Sequence, residues 1–197
     1  MNKDEMLSFY DDKLNELGIA LRSEIHSKGF LHAVVHCWII DETCDEKWIY
    51  FQQRSYEKKD FPGFYDISAA GHVDIGEDVE VAVKRETQEE IGIVIESKRL
   101  KLIGSIREKM HLDNFFNNEI CQVYLYSIEN PKFKLGHEVE KMVKISFNEF
   151  KKWILEDSKN IMALSIDSKS KFIIKSQEFC PHKKEYLELV VDFMGRL

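Results

Sequence analysis

The stretch Gly71-His-Val-Asp-Ile-Gly-Glu77-Asp-Val-Glu-Val-Ala-Val-Lys-Arg85-Glu86-Thr87-Gln-Glu89-Glu90-Ile-Gly92-Ile93 decides how the whole chain is read. Val79, Ala82, Val83, Thr87 and Ile91 recur at three- and four-residue steps, the spacing of one apolar stripe along a helix. Gly76 marks the start of that helix, with Glu77 and Asp78 expected in its first turn, where negative charge suits the helix dipole; Gly92 marks its end. On such a helix Arg85, Glu86, Glu89 and Glu90 fall within about one and a half turns, and residues three and four apart share a face. Carboxylates therefore gather on one side.

Like charges this close repel one another, and Arg85 can answer only one of them. A hard divalent cation takes oxygen ligands and would satisfy the rest; Mg2+ in particular keeps several waters that a substrate phosphate can displace. A bare Glu-x-x-Glu-Glu, taken alone, reads first as a solvated charged face. The wider pattern changes that reading.

Gly, five residues, Glu, seven residues, then Arg-Glu-Thr-x-Glu-Glu-x-Gly-Ile resembles the Nudix box at every specified position. The resemblance implies an α/β fold, the Nudix α/β/α sandwich with a mixed sheet. It also implies Mg2+- or Mn2+-dependent attack of water on a nucleoside diphosphate linked to another group. Glu86, Glu89 and Glu90 are then the metal-binding glutamates, joined by the backbone carbonyl of Gly71. Glu77 and Arg85 match the pair that holds the loop against the helix.

A length of 197 residues suits one domain spanning 1–197, with an N-terminal β extension and a C-terminal helix; 44% hydrophobic and 12% aromatic residues can fill a sizeable core. A formal net charge of -7 argues against a general nucleic-acid surface but leaves room for a small anionic substrate, because a local cation or metal can reverse the field. Cys37, Cys44, Cys121 and Cys180 show no Cys-x-x-Cys or zinc-like spacing, so reduced, mostly buried thiols are expected. The first residues are polar and no run approaches membrane-spanning length, which points to the cytoplasm and away from a membrane. Oligomeric state is not encoded legibly, and a homodimer stays open.

In chain order, residues 6–24 read as a hairpin, His26 to Gly29 as a turn, and His32 to Ile40 as a buried strand. Trp48 to Gln53 is the next strand, reached through a turn at Thr43 to Lys47. Arg54, Lys58 and Lys59 form a compact basic group; Arg54 or Lys58 is a candidate for holding the substrate's second phosphate, and ordinary loop solvation is the competing reading. Tyr65 to Ala70 reads as one short strand whose Ser68, Ala69 and Ala70 leave room beside Gly71. Leu100 to Ile106 and Ile120 to Ile128 are two strands flanking a polar loop with Asn114, Asn117 and Asn118, and Met142 to Ser146 is a further strand. Asn148 to Glu156 and His182 to Phe193 are the remaining helices. Phe61, Phe64, Tyr65, Phe115 and Phe116 are open between core, lid and base-stacking roles.

Beyond the box, His26 to Glu90 looks like the Nudix branch related to isopentenyl diphosphate isomerase, through Lys28-Gly29-Phe30-Leu31-His32, Gln53-Arg54-Ser55 and Asp66-Ile67-Ser68-Ala69-Ala70-Gly71-His72. That isomerase needs a cysteine acid/base just before the Gly-His pair, and here the position is Ala70, which cannot move a proton. Its metal site uses histidines and two glutamates; His32, His72 and Glu119 match ligands, while Asn117 stands where a second glutamate is expected. His26, His32 and His72 are read here as histidines satisfied by backbone or core partners rather than as ligands. Glu86 is the first candidate for the general base and Glu119 the second. The expected activity is hydrolysis of a small phosphoanhydride, with a nucleotide-sensing module that does not cleave and an isomerase-like enzyme as alternatives.

Overall fold

The computed structural model describes residues 5–42, 46–112 and 115–197; Thr43, Cys44 and Asn114 lie outside them, as does the side chain of Phe115. The central strand is β3, after the hairpin β1 (Met6–Tyr10) and β2 (Glu16–Leu21) and the short helix α1 (Arg22–Lys28). Strand β3 (Leu31–Asp41) is buried nearly end to end, without the alternation of a half-exposed strand, because helices cover both of its faces. On one face Val35, Cys37 and Ile39 pack with Ala82, Val83 and Ile91 of α2 (Val79–Ile91). On the other, Val34, Trp38 and Ile40 pack with Phe150 of α3 (Phe147–Glu156) and with Tyr186, Val190 and Met194 of α4 (Lys184–Gly195). The result is an α/β/α sandwich.

The remaining strands are β4 (Trp48–Arg54), β5 (Tyr65–Asp66), β6 (Ala69–His72), β7 (Leu100–Leu112), β8 (Phe115–Ser127), β9 (Val139–Ser146), β10 (Asn160–Ser165) and β11 (Lys171–Lys175). The main sheet runs β11-β10-β9-β4-β3-β1-β2, and it is mixed because β8 lies parallel to β3 while the other pairs are antiparallel. Among the described residues, β3 and β4 pair only at Ile40↔Ile49 and Asp41↔Trp48 and then diverge. The chain expected as one strand from Tyr65 to Ala70 crosses that fork: β5 stays with β4 and β6 joins β3. Ser68 pins the crossing, its buried hydroxyl donating to the Tyr50 carbonyl (2.5 Å) and accepting from the Ile39 amide (2.8 Å).

Other boundaries shift for identifiable reasons. The turn expected at His26 to Gly29 is the end of α1, closed by Gly29 at φ 66. Helix α2 begins after Asp78, whose side chain caps the Glu80 amide (2.8 Å), so Glu77 and Asp78 precede the first turn instead of occupying it. Asn117 and Asn118 lie in β8 and not in a loop; Asn118 accepts from Arg107 (3.1 Å) and donates to the Gly29 carbonyl (2.9 Å). Helix α4 starts at Lys184 because His182 is held by two carboxylates described below. The β10–β11 hairpin was not expected at all. No helix among the described residues is long and apolar enough to cross a membrane, and Cys37, Cys121 and Cys180 are buried free thiols.

Candidate active site

At the fork between β3 and β4 lies a cavity of about 550 Å³ whose lining includes Gly71, Glu86, Glu89, Glu90 and Glu119. Helix α2 delivers its glutamates there because its apolar stripe is buried against the sheet. Its last carbonyls are met by a segment far along the chain: Lys134 N donates to Ile91 O (3.0 Å) and Gly136 N to Glu90 O (2.8 Å). A side chain at Gly136 would come within 2.3 Å of the Glu89 carbonyl, so the approach depends on glycine.

Arg85 ties the loop to this helix as the box pattern implies. Its Nε and Nη2 donate to the two oxygens of Glu77 (2.9 and 2.8 Å), Nη2 also to His72 O (3.0 Å), and Nη1 to Glu86 Oε1 (2.6 Å). Glu77 in turn accepts from the Asp74 amide (3.0 Å). Glu89 is the most exposed of the box glutamates, 3.5 Å from Arg85 Nη1. Glu90 is buried, and one of its oxygens, Oε2, accepts from both the Ala70 amide and Gln52 Nε2 at 3.0 Å. Gln52 went unnoticed in the sequence; a buried amide on a central strand is the signal that structure adds.

Burial raises Glu86 to about 7, although Arg85 opposes it, and raises Glu90 to about 8 against the Ala70 hydrogen bond. Glu86 is half-buried and ion-paired with Arg85, whereas Glu90 is buried and has no ion pair among the described residues. A Cβ at Gly71 would lie 2.0 Å from the Glu86 carboxyl carbon, so the Gly71 backbone and the Glu86 carboxylate share one cradle. A cluster of carboxylate oxygens lining one cavity is a donor set that fits a hard divalent ion.

Glu119 sits opposite, on β8, with His32 Nε2 3.6 Å away. Burial would raise Glu119, but His32 holds it down to about 2, so it stays ionised. His32 has a backbone partner, Phe30 O, at 3.0 Å from Nδ1, while its buried Nε2 has no hydrogen-bond partner among the described residues, and His72 Nδ1 faces Glu5 at 3.2 Å. The structure adds that ligand atoms of His26, His32 and His72 lie within 4.8 Å of one another, so that they too could hold a metal ion. Burial keeps His26 near 3 and lowers His72, which leaves both as the neutral imidazoles that ligate metals.

The candidate phosphate-binding cations both line the cavity, and both already have partners. Arg54 donates to Asp60 O from Nε (3.2 Å) and Nη2 (2.9 Å) and to Asp66 from Nη1 (3.3 Å), while Lys58 makes a short ion pair with Glu138. Of the aromatic candidates, Tyr65 is core, Phe61 lines the cavity with its ring edge-on to Phe64 at 5.4 Å, and Phe116 is exposed and stacks on His111 at 4.2 Å.

The floor of the cavity was not visible in the sequence. His182 Nδ1 lies 2.7 Å from Glu108 Oε2 and its Nε2 2.8 Å from Asp66 Oδ1; two such bonds need both ring protons, so the ring is an imidazolium. Its pKa rises to about 10 because the two carboxylates outweigh burial. Asp66 and Glu108 are correspondingly lowered against burial.

Residues 30–164 match the family model for the NUDIX domain, and the chain belongs to the Nudix family. An uncharacterised Nudix hydrolase of Clostridium acetobutylicum is 31% identical, covering 96% of this chain and 96% of that protein. An isopentenyl-diphosphate Delta-isomerase of Photorhabdus laumondii is 24% identical over 98% of this chain and 99% of its own. Among solved structures, a Deinococcus radiodurans protein superposes with a TM-score of 0.61 at 18% identity, covering 77% of this chain and 90% of that one, which shows the shared fold. Family membership supports pyrophosphohydrolase-type chemistry in general.

Proposed function

We propose that the chain is a metal-dependent hydrolase that cleaves a diphosphate linkage in a nucleoside diphosphate derivative or a related small phosphoanhydride. The observation that supports this is the convergence of Glu86, Glu89 and Glu90 on one cavity wall, with Glu86 against Gly71 and Glu90 on the Ala70 amide. Glu86, Glu89, Glu90 and the Gly71 carbonyl would hold the ion, Mg2+ or Mn2+. When bound, it supplies Lewis acidity to the phosphoryl oxygens and to the attacking water.

This chain's residues do the rest. The water oxygen bonds to phosphorus as the bond to the bridging oxygen breaks; the bridging oxygen leaves with its electron pair on the departing phosphate, and the water's proton passes to a carboxylate. Glu86, the carboxylate that Arg85 holds at the helix face, is the first candidate for that base. Glu119, facing the cavity from β8, is the second candidate. Arg85 positions Glu86 and the loop, and Lys58, released from Glu138, is the cation for the second phosphate.

The histidine cluster and the isomerases among the relatives favour a second reading, proton transfer on an isopentenyl-type substrate. Ala70 offers no proton, and a carbocation formed in this cavity would face the His182 imidazolium, so hydrolysis is preferred. Phosphate and pyrophosphate release is measured from nucleoside di- and triphosphates, nucleotide sugars, dinucleotides and isopentenyl diphosphate, with Mg2+ or Mn2+ and with chelator. Chelator-sensitive release from one class is the expected result. Nucleotide binding without release from any substrate would replace the hydrolase with a sensing module.

A further inference from the structure

His36 stands at the floor of the cavity with one ring nitrogen committed and one open. The Trp38 indole can only donate, and its Nε1–H reaches the Tyr186 hydroxyl oxygen at 2.9 Å. That hydroxyl lies 3.0 Å from His36 Nδ1 and meets no other acceptor among the described residues, so its proton points at Nδ1. His36 is then a neutral ring carrying its proton on Nε2, and burial together with the His182 charge disfavours a second proton. Nε2 has no hydrogen-bond partner among the described residues, although His36 is 4% exposed.

Two buried neighbours, Glu108 and Cys121, bring ligand atoms within 4.8 Å of those of His36. They do not form a metal site with it: Glu108 accepts from His182 and from the Lys183 amide (2.7 Å), and burial drives the Cys121 thiol well above its ordinary range. The free direction is the cavity. His36 pairs with Ala70 across the β3–β6 ladder, and residues directly opposite in an antiparallel pair point to the same face. The Ala70 amide is itself bonded to Glu90, so His36 stands one cross-strand step from the anchor of the carboxylate helix.

We propose that this floor is the subsite for the part of the substrate beyond the diphosphate, and that His36 Nε2–H selects a group with an uncharged acceptor oxygen, a sugar hydroxyl or carbonyl, over a hydrocarbon tail. The inference rests on the hydrolase reading. The surroundings agree with it: Asp66 and His182 put a fixed polar wall beside His36, where a hydrocarbon chain would leave the imidazole donor unsatisfied.

Ribose 5-diphosphate and n-pentyl diphosphate have equal carbon counts and differ in their oxygens, which makes them the test pair. With Mg2+, kcat/KM should favour the ribose ester by at least about 10-fold, since sites built to hydrogen-bond an oxygen reject analogues that lack it. His36→Leu should erase most of that ratio, and His36→Gln, whose amide nitrogen can reach the place of Nε2, should restore much of it. A wild-type ratio near one, or an equal fall on both esters in His36→Leu, overturns the subsite. If neither ester is cleaved, calorimetric binding of the same pair to wild type and both variants decides the subsite by itself: preference for the ribose ester lost only in His36→Leu supports it, and equal or absent binding overturns it. Failure of the hydrolase reading is separately visible as silence across the wider substrate panel.

Discussion

Replacing Gln52 with methionine keeps the length of the side chain and removes the donor that holds Glu90. In the folded protein Gln52 Nε2 and the Ala70 amide both bond Oε2, which leaves Oε1 of Glu90 as the oxygen free for a cation. Loading a metal requires Glu90 to be ionised, and a hydrogen bond to a charged group contributes about 1.5–3 kcal/mol. At about 1.4 kcal/mol per decade, that predicts roughly a 10- to 100-fold loss of Mn2+ affinity, the range usual for residues that orient metal ligands. The lower end is expected, because the Ala70 amide still holds the same oxygen. Mn2+ titration followed by calorimetry, with far-ultraviolet circular dichroism to establish that the variant is folded, measures it. A folded Gln52→Met protein with wild-type Mn2+ affinity would refute the orientation argument.

Other consequences are open to the same kind of test. Glu90→Gln removes the ligand itself, so metal-dependent turnover should fall by more than the ~100-fold upper range for orienting residues, while the melting temperature holds, since the buried carboxylate is costly and an amide is not; near-wild-type rates would sink the assignment. Gly71→Ala places a methyl carbon where the Glu86 carboxylate lies; it should lose activity and, by overpacking of about 1–3 kcal/mol, melt several degrees lower, whereas unchanged turnover would show that Glu86 need not sit there. For the Asp66–His182–Glu108 network, His182 is raised from an unfolded value of about 6.5, so its stabilisation is complete below that pH and is lost as pH rises toward about 10. Asp66 and Glu108 are lowered, so their share is present above their unfolded values and lost as pH falls into the acid range. Thermal melts of wild type and His182→Gln should therefore differ more at pH 6 than at pH 9.5, and a pH-independent difference would contradict the charged assignment.

What could be read beforehand was local or periodic. The α2 stripe and the mostly apolar run of β3 announce themselves within a few turns or one strand of sequence, and the Arg85–Glu77 clasp follows from the box resemblance. What could not be read depends on distance along the chain. His182 looks like a residue after a proline until Glu108, 74 positions away, and Asp66, 116 positions away, close on it. Gln52 is one polar residue in a strand until the fork carries it 38 positions on to Glu90. The β10–β11 hairpin lacks a clean alternation in sequence, because Met162 and Ile173 are exposed beside Asn160, Lys171 and Lys175 while Ile161, Ala163 and Ile174 carry its buried side.

The caps that residues 134–136 place on the end of α2 bear on the order in which the protein is made. During synthesis the helix leaves the ribosome well before the segment that closes it, and α4, with His182 ahead of it, follows later still. Until Lys134 and Gly136 arrive, the carbonyls of Glu90 and Ile91 have only water to turn to, and the nascent glutamate helix can fray at its C-terminal end. Ribosome-bound chains stalled before residue 134 should accordingly exchange amide protons faster at that end of the helix than the finished protein does, making the ordering of the carboxylate cluster a late event of its birth.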